Sequence, residues 1–340
     1  MSILRYDPTT GDWVILAPSR ARRPDELKRR SVPQVIESPP PPKLCPFCPG
    51  NEHLTPPEIY AVRSGTSRNG PGWQARVVPN LFPALRVEED AQSIEGRDSF
   101  FRMRGGFGAH EVIIESPQHD VFLGHQPIEQ VELLLRTLQS RYLDLLRDVR
   151  FKAIVMFKNH GEAAGTSLRH PHCQLIATPV VPRQVRLKQA IAADYYDLTG
   201  RCVYSVLRDE ELEAGQRVLA TNDDYVAVLP FASHVPFEIW ILPRRQHASF
   251  GSVDPARLRT LAGILKTVLL KLYIGLENPD FNLMIDTVTR GGEEQDYFLW
   301  HVQILPRLTT PAGFELGSGM SINTVLPEEA AEYLREVEIV

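Results

Sequence analysis

One stretch of this chain is repeated about 128 residues further on, and this repeat limits the folds that the chain can adopt. Each copy reads as a strand ending at a proline, a helix, a buried strand, a polar loop and a last strand. The anchors are His119 and His247 (247 − 119 = 128), Pro127 and Pro255, Met156 and Met284 at the same spacing, and His172 and His301 (301 − 172 = 129). Two unrelated α+β units could share this order of elements, but four anchors in nearly constant register favour duplication. The repeat predicts an α+β protein of two tandem units packed as a pseudo-dimer.

The elements of both copies can be placed from their residues. The first copy has strands at 110–117 and 153–157 around a helix at 126–146, and the second has strands at 237–243, 281–285 and 297–306 and a helix at 254–272. Asp254 should cap the second helix, with Pro255 at its first position. A run of four prolines near residue 40 indicates an extended lead-in. We therefore expect an N-terminal arm at 1–40, a first domain at 41–182 and a second domain at 183–340.

Composition excludes several classes of protein. The net charge of −5 gives no general attraction to nucleic acid or to an anionic membrane. No apolar run approaches 18 residues, and the N-terminus lacks the apolar core of a signal peptide. Four cysteines are too few for a disulfide scaffold of 340 residues. We expect a cytoplasmic protein that binds neither nucleic acid nor a membrane.

The segment "RHPHCQ" carries the first candidate site. In a strand, His170, His172 and Gln174 share one face because side chains alternate. Pro171 has no N–H, so the strand should lie at a sheet edge or be interrupted there. A ligand site next to the preceding glycine-containing loop is one interpretation, and a solvated strand face is the other.

The segment "CPFC" carries the second candidate site. Cys45 and Cys48 are spaced so that both sulfurs can bind one tetrahedral metal ion. Histidines would complete the set, because Cys173 should face away from His170 and His172. Such a closed site would be structural. The alternative is a pair of reduced thiols, and a redox role is less attractive because no helix clearly follows.

The two copies differ in their chemical residues. The second copy has Leu299, His301 and Gln303 where the first has two histidines and a glutamine, and it has no Cys-x-x-Cys pair. Any chemistry is therefore expected in the first copy.

Together these motifs resemble the galactose-1-phosphate uridylyltransferases, a branch of the histidine-triad superfamily. The likeness covers nearly the whole chain and includes "LRYDPTTGDWVILAPSRARRPDE", "CPFCPGNE", "ESPQHD" and "FKNHGEAAGTSLRHPHCQ". It implies two tandem histidine-triad-like domains, each an antiparallel sheet with packed helices, of which the second is degenerate.

The resemblance also implies roles for individual residues. The zinc ligands would be Cys45, Cys48, His119 and His170. His172 would be the nucleophile, and Gln174 would bind the phosphoryl oxygens. Asn80, Asn159, Gly165 and Ser167 would lie around the nucleotide, and Arg23 would reach a partner subunit. The zinc would be one structural Zn²⁺, and the arm implies a homodimer. The activity implied is nucleotidyl transfer through a covalent nucleotidyl-histidine. UDP-glucose and a hexose 1-phosphate, such as galactose 1-phosphate, are the first expectation for its substrates.

The chain departs from the family pattern at a second metal site and in the nucleotide pocket. Lys188, Asp286 and Gln303 stand where some members have iron ligands, so we expect no iron, and His301 would be a remnant of the duplication. Leu81 replaces an aspartate beside Asn80. With "GFGAHEVIIESP", this change resembles a divergent branch that includes a plant ADP-glucose phosphorylase.

Two alternatives to the uridylyltransferase therefore stay open. One is an NDP-sugar (ADP-glucose) phosphorylase that uses inorganic phosphate. The other is a non-catalytic, zinc-stabilised nucleotide-binding protein. Among the remaining histidines, His160 could touch phosphate or be solvated, His247 is expected to be structural, and His110, His125 and His234 have no assigned partner.

Overall fold

The centre of the fold is one antiparallel sheet of ten strands. The computed structural model describes residues 1–20, 45–94 and 100–339. The strands of this sheet are β3 (Tyr60–Arg63), β4 (Trp73–Pro79), β7 (Ala109–Ile114), β8 (Ala153–His160), β9 (His172–Thr178), β10 (Val218–Thr221), β11 (Tyr225–Val228), β12 (Ile239–Pro243), β13 (Phe281–Asp286) and β14 (His301–Pro306). Their order across the sheet is β10-β11-β12-β14-β13-β8-β9-β7-β4-β3. Each copy of the repeat thus supplies five adjacent strands.

The two copies meet at the centre of this sheet. Strands β8 and β13 pair antiparallel, with Met284 opposite Phe157 and Ile285 opposite Met156. The repeat-related Met156 and Met284 therefore lie on adjacent pairs, as a local two-fold axis between these strands requires. The predicted α+β fold with large antiparallel sheets is confirmed, although its two halves share one continuous sheet. The boundaries at residues 40 and 182 stay a prediction.

Six helices lie in the described part of the chain. They are α1 (Ile128–Leu145), α2 (Arg183–Thr199), α3 (Val203–Ala214), α4 (Pro255–Gly275), α5 (Gly313–Ser318) and α6 (Pro327–Glu336). The predicted cap of α4 is present, since the Asp254 side chain accepts a hydrogen bond from the backbone N–H of Arg257. Pro127 precedes the first residue of α1 and does not occupy it. None of the helices in the described ranges is long and apolar enough to cross a membrane.

The two faces of the sheet are covered differently. On one face, the apolar sides of α1 and α4 bury a core that includes Leu138, Leu265, Cys173 and Leu175. On the other face, α2 and α3 help to bury the second half, where Ala192 and Tyr204 pack against Trp240. The corresponding face of the first half holds His172 and Gln174.

The N-terminal residues pack against the C-terminal half. Strands β1 (Ile3–Tyr6) and β2 (Trp13–Leu16) form a hairpin, and β15 (Ile322–Asn323) pairs parallel with β2. Arg5 bonds Glu328 at 2.9 Å, and His234 Nε2 lies 3.1 Å from Asp7 Oδ2. A further hairpin joins β5 (Ser93–Ile94) and β6 (Met103–Arg104).

Strand β9 lies inside the sheet, between β8 and β7, so the expectation of an edge strand is wrong. The other expectation, of an interruption at Pro171, is correct, because β9 begins at His172. Pro171 lies just outside the strand, so no N–H donor is needed at this position. Its carbonyl accepts a hydrogen bond from the Glu115 N–H at 3.3 Å.

Candidate active site and metal centre

Four predicted metal ligands converge from three separate parts of the chain. Cys45, Cys48, His119 and His170 each offer one ligand atom, and these atoms all lie within 4.8 Å of one another. Cys48 Sγ is 3.2 Å from His119 Nδ1, and Cys45 Sγ is 3.8 Å from His170 Nδ1. Two thiols and two imidazoles form a donor set that suits a tetrahedral metal ion. The cluster could therefore hold a metal ion.

The surroundings of this cluster fit such an ion. His170 Nε2 lies 2.8 Å from the Ser116 carbonyl, so Nε2 carries the proton and Nδ1 keeps its lone pair for a metal. Burial is the main cause that lowers the pKa of His170 to about 4, which keeps the ring neutral. Burial, with Cys45 nearby, raises the pKa of Cys48 to about 11, so a cation would be needed to hold its thiolate form.

The cysteine loop also contacts the candidate nucleophile. Phe47, between the two cysteines, packs its ring edge-on against His172, with the ring centroids 5.3 Å apart. The loop is tied down by Asn51, whose side chain bonds the Cys45 carbonyl, and by Glu52, which accepts a bond from the Trp73 indole. A metal ion holding this loop would therefore also fix the surroundings of His172.

The hydrogen bonding of His172 defines its tautomer. Its Nδ1 lies 2.8 Å from the His170 carbonyl, which can only accept, so Nδ1 carries the proton and Nε2 holds the lone pair. Burial is the main cause that lowers the pKa of His172; the bond to the His170 carbonyl opposes it, and the charges of Lys158 and Glu115 act on this pKa in opposite directions. No hydrogen bond within the described residues uses Nε2. His172 is thus a neutral imidazole with an available nucleophilic nitrogen.

Below the site, the opposite face of the sheet holds a buried ion pair. Lys158 Nζ lies 2.6 Å from Glu115 Oε1, and both side chains are 2% exposed. Cys173, which points to this face as expected, donates to the same carboxylate at 3.2 Å. These charges largely neutralise each other, so this layer supports His172 without a large net field.

One predicted nucleotide-binding residue, Asn80, lies beside Gln174 of β9. The side-chain nitrogen of Asn80 lies 3.5 Å from Gln174 Oε1, and His110 Nε2 lies 2.8 Å from the same oxygen. His110 also lies at the site, although no interaction partner could be assigned to it from the sequence. Its place depends on the register of β7 against β9, which opposes His110 to Ile176 and Val112 to Gln174.

The segment from Asn159, near the end of β8, to Ser167 in the active-site loop is held by the second half of the chain. Asn282 donates to Asn159 Oδ1 at 2.8 Å and to the Ala164 carbonyl at 2.9 Å. Asp280 accepts from the Ala163 N–H at 2.6 Å. Gly161, at φ +85°, passes so close to Asp280 that a Cβ there would lie 1.8 Å from its carboxylate. These contacts leave no signal in the sequence, because they form only when β13 pairs with β8.

The other predicted site residues are placed as follows. Asn159 and Gly165 are neighbours, since a Cβ at Gly165 would lie 3.8 Å from Asn159 Nδ2. Ser167 is exposed on the same loop. Arg23 lies outside the described residues. His160 has a structural environment, because its Nε2 lies 2.7 Å from Asn278 Oδ1 and its ring stacks on Phe281 at 4.8 Å.

The repeat-related position in the second half is closed. His301 Nδ1 lies 2.9 Å from the Leu299 carbonyl, the same arrangement as at His172. However, His301 is fully buried, and Trp240 stacks on its ring at 4.8 Å.

Lys188 Nζ lies 2.6 Å from Asp286 and 3.3 Å from Gln303. Burial alone would raise the pKa of Asp286, but the Lys188 charge and the neighbouring His301 hold that pKa below its usual range. The absence of iron stays a prediction.

Comparisons with known proteins agree with this architecture. The profile of the family described as "Galactose-1-phosphate uridyl transferase, N-terminal domain" matches residues 1–182. The chain is 37% identical to ADP-glucose phosphorylase of Arabidopsis thaliana, over 99% of this chain and 93% of that protein. It is 29% identical to galactose-1-phosphate uridylyltransferase of Thermotoga maritima, over 100% of this chain and 99% of that protein. The crystal structure of the Arabidopsis ADP-glucose phosphorylase with bound ADP-glucose superposes with a TM-score of 0.84, at 34% identity, over 100% of both chains. The chain therefore belongs to the galactose-1-phosphate uridylyltransferase family of enzymes.

Proposed function

We propose that this protein is an NDP-sugar phosphorylase that acts on ADP-glucose. In the first step, His172 Nε2 attacks the α-phosphorus of ADP-glucose, a P–N bond forms, and glucose 1-phosphate leaves with the electrons of the broken P–O bond. In the second step, inorganic phosphate attacks the nucleotidyl-histidine and releases ADP. Kinetics should therefore be ping-pong.

The geometry of His172 is the observation that supports nucleotidyl transfer through a covalent histidine intermediate. A neutral imidazole with its proton fixed on Nδ1 needs no general base to attack phosphorus. Negative charge that develops on the phosphoryl oxygens needs donors fixed in advance. We assign that role to the amide of Gln174 and to the Asn159–Ser167 loop.

The choice of adenine follows from similarity to the Arabidopsis ADP-glucose phosphorylase, at 37% identity over 99% of the chain. Leu81 agrees with this choice, because it removes the carboxylate that the resemblance places beside Asn80 in the uridylyltransferases. This proposal reverses the first expectation from the sequence, which placed UDP-glucose ahead of ADP-glucose. UDP-glucose:hexose-1-phosphate uridylyltransferase is the second candidate, favoured by the relative from Thermotoga maritima.

We further propose that the Cys₂His₂ cluster holds one structural Zn²⁺. Zinc there would brace the cysteine loop, and through Phe47 the ring of His172, while all bond making stays with the protein's own residues and the substrates. A homodimer in which Arg23 reaches the partner subunit remains part of the proposal.

Labelled nucleotides distinguish the two candidates. The protein is incubated with ADP-[α-³²P]glucose or UDP-[α-³²P]glucose, and labelled protein is trapped before inorganic phosphate or galactose 1-phosphate is added as acceptor. We expect label from ADP-glucose that inorganic phosphate removes as ADP. Label from UDP-glucose that only galactose 1-phosphate removes would establish the second candidate. Label from neither nucleotide would leave the non-catalytic alternative.

A further inference from the structure

We propose that His110 is a positioning residue, which fixes the orientation of the Gln174 amide for nucleotidyl transfer. The proposal rests on the function proposed above, in which Gln174 binds the phosphoryl oxygens. His110 lies on β7, next to β9 in the sheet, and belongs neither to the metal cluster nor to the predicted set of substrate contacts.

Hydrogen bonds define the tautomer of His110. The backbone N–H of Ala84 donates to His110 Nδ1 at 3.1 Å, so Nδ1 must present a lone pair. The proton of the neutral ring therefore lies on Nε2. A donor at Nε2 requires an acceptor, and Gln174 Oε1 lies 2.8 Å away. The side-chain oxygen of Gln174 is thus the atom that faces His110.

Asn80 imposes the same orientation on Gln174. The Asn80 Oδ1 atom accepts from the Phe82 N–H at 2.9 Å, so the Asn80 amino group must point the other way, where it lies 3.2 Å from His110 Nε2 and 3.5 Å from Gln174 Oε1. Because His110 Nε2 carries a proton, only the glutamine oxygen can accept from this amino group. Two donors therefore converge on one oxygen. No hydrogen bond within the described part of the chain uses Gln174 Nε2, which leaves this amino group to donate to a ligand.

This arrangement removes an ambiguity that an isolated glutamine would have. A glutamine amide that rotates by half a turn exchanges its oxygen and nitrogen with little change in shape. The rotated form would aim a carbonyl oxygen at an anionic phosphoryl group and place its amino group against the N–H donors of His110 and Asn80. His110 therefore selects the productive form, and one neutral hydrogen bond of this kind corresponds to about tenfold in a rate.

Two substitutions separate the contacts of His110. Asparagine can keep an acceptor for the Ala84 N–H but cannot reach Gln174, whereas glutamine can keep a donor toward Gln174. We expect His110→Asn to lower the single-turnover rate of protein labelling by ADP-glucose about tenfold, with Kd for ADP-glucose nearly unchanged. We expect His110→Gln to restore the rate to within about threefold of the unsubstituted protein.

A double-mutant cycle with Gln174→Ala provides the decisive comparison. If His110 acts through Gln174, His110→Asn will slow labelling by less than about twofold when Gln174 is already alanine. An equal loss in both backgrounds, or no loss in either, would overturn the role of His110 and leave the proposed function intact. Labelling that survives His172→Asn would instead overturn the proposed function.

Discussion

The second half of the chain should contribute to the activity of the first half through Asn282. This side chain is 9% exposed and donates to Asn159 Oδ1 at 2.8 Å and to the Ala164 carbonyl at 2.9 Å. Its own oxygen accepts from Arg307 Nε. The Asn282→Ala substitution removes all three bonds at once and frees the amide of Asn159 to rotate.

The size of the effect follows from these bonds. The two bonds to the loop contribute about 1 kcal/mol each, and the loss of the charged Arg307 contact adds about 1.5 kcal/mol. The free energy of unfolding should therefore fall by about 3.5 kcal/mol, within the factor-of-two range typical of such bonds. If the two loop bonds act fully on the transition state, single-turnover labelling by ADP-glucose should slow about 30-fold.

Asn323→Ala is the matched control. Asn323 is 1% exposed and also makes two side-chain bonds of 2.9 Å, to Ser233 and Val325, but these bonds lie in the C-terminal region. Urea unfolding should show that both variants lose stability, while only Asn282→Ala loses activity in excess of its unfolded fraction. Equal labelling rates for the two folded variants would refute the claim that the second half holds the active-site loop.

Three further outcomes are expected. Cys45→Ser should reduce the metal content of purified protein, measured by plasma mass spectrometry, from one zinc to less than half, and unchanged content would refute the site. The Asp7–His234 pair should stabilise the fold most between about pH 4 and pH 6.5. Burial alone would lower the pKa of His234 and raise that of Asp7, but the contact between the two side chains raises the His234 pKa and lowers the Asp7 pKa. This stabilisation is lost as pH rises through the folded-state pKa of His234 and as pH falls through the folded-state pKa of Asp7. His234→Gln should therefore lower the free energy of unfolding, measured in urea, by about 1 kcal/mol at pH 6 and by little at pH 9. Lys188→Met should lower the free energy of unfolding by about 3 kcal/mol, because it leaves the Asp286 carboxylate without its cation. Adding Asp286→Leu to this variant should restore most of the lost stability. If the two substitutions instead cause additive losses, the two side chains do not act as a pair.

Local chemistry made much of the fold predictable. The helix that begins at Pro255 has its cap and its proline adjacent in sequence, so its start could be read directly. The Cys₂His₂ cluster was predictable because cysteine and histidine are the side chains that zinc prefers, and the resemblance supplied which histidines to choose.

Contacts between distant segments were not predictable. The role proposed for His110 depends on the register of β7 against β9 and on the turn at Asn80–Ala84, neither of which leaves a signal in local sequence. Asp280 and Asn282 reach the active-site loop only because β13 pairs with β8. Of the two arrangements that Pro171 indicated, a sheet edge or an interrupted strand, the structure has the second, because Pro171 lies one residue before β9, where no ladder N–H is required.

The central claim is that His172 carries the nucleotide. The most direct test is to incubate the protein with ADP-[α-³²P]glucose without acceptor, digest it, and locate the label by peptide mass spectrometry. His301→Asn is the matched control for His172→Asn, because both histidines bond a carbonyl two residues upstream. Our prediction is one acid-labile nucleotidyl group on His172, absent in His172→Asn, present in folded His301→Asn, and released by inorganic phosphate. Label on any other residue, or equal labelling of His172→Asn, would contradict it.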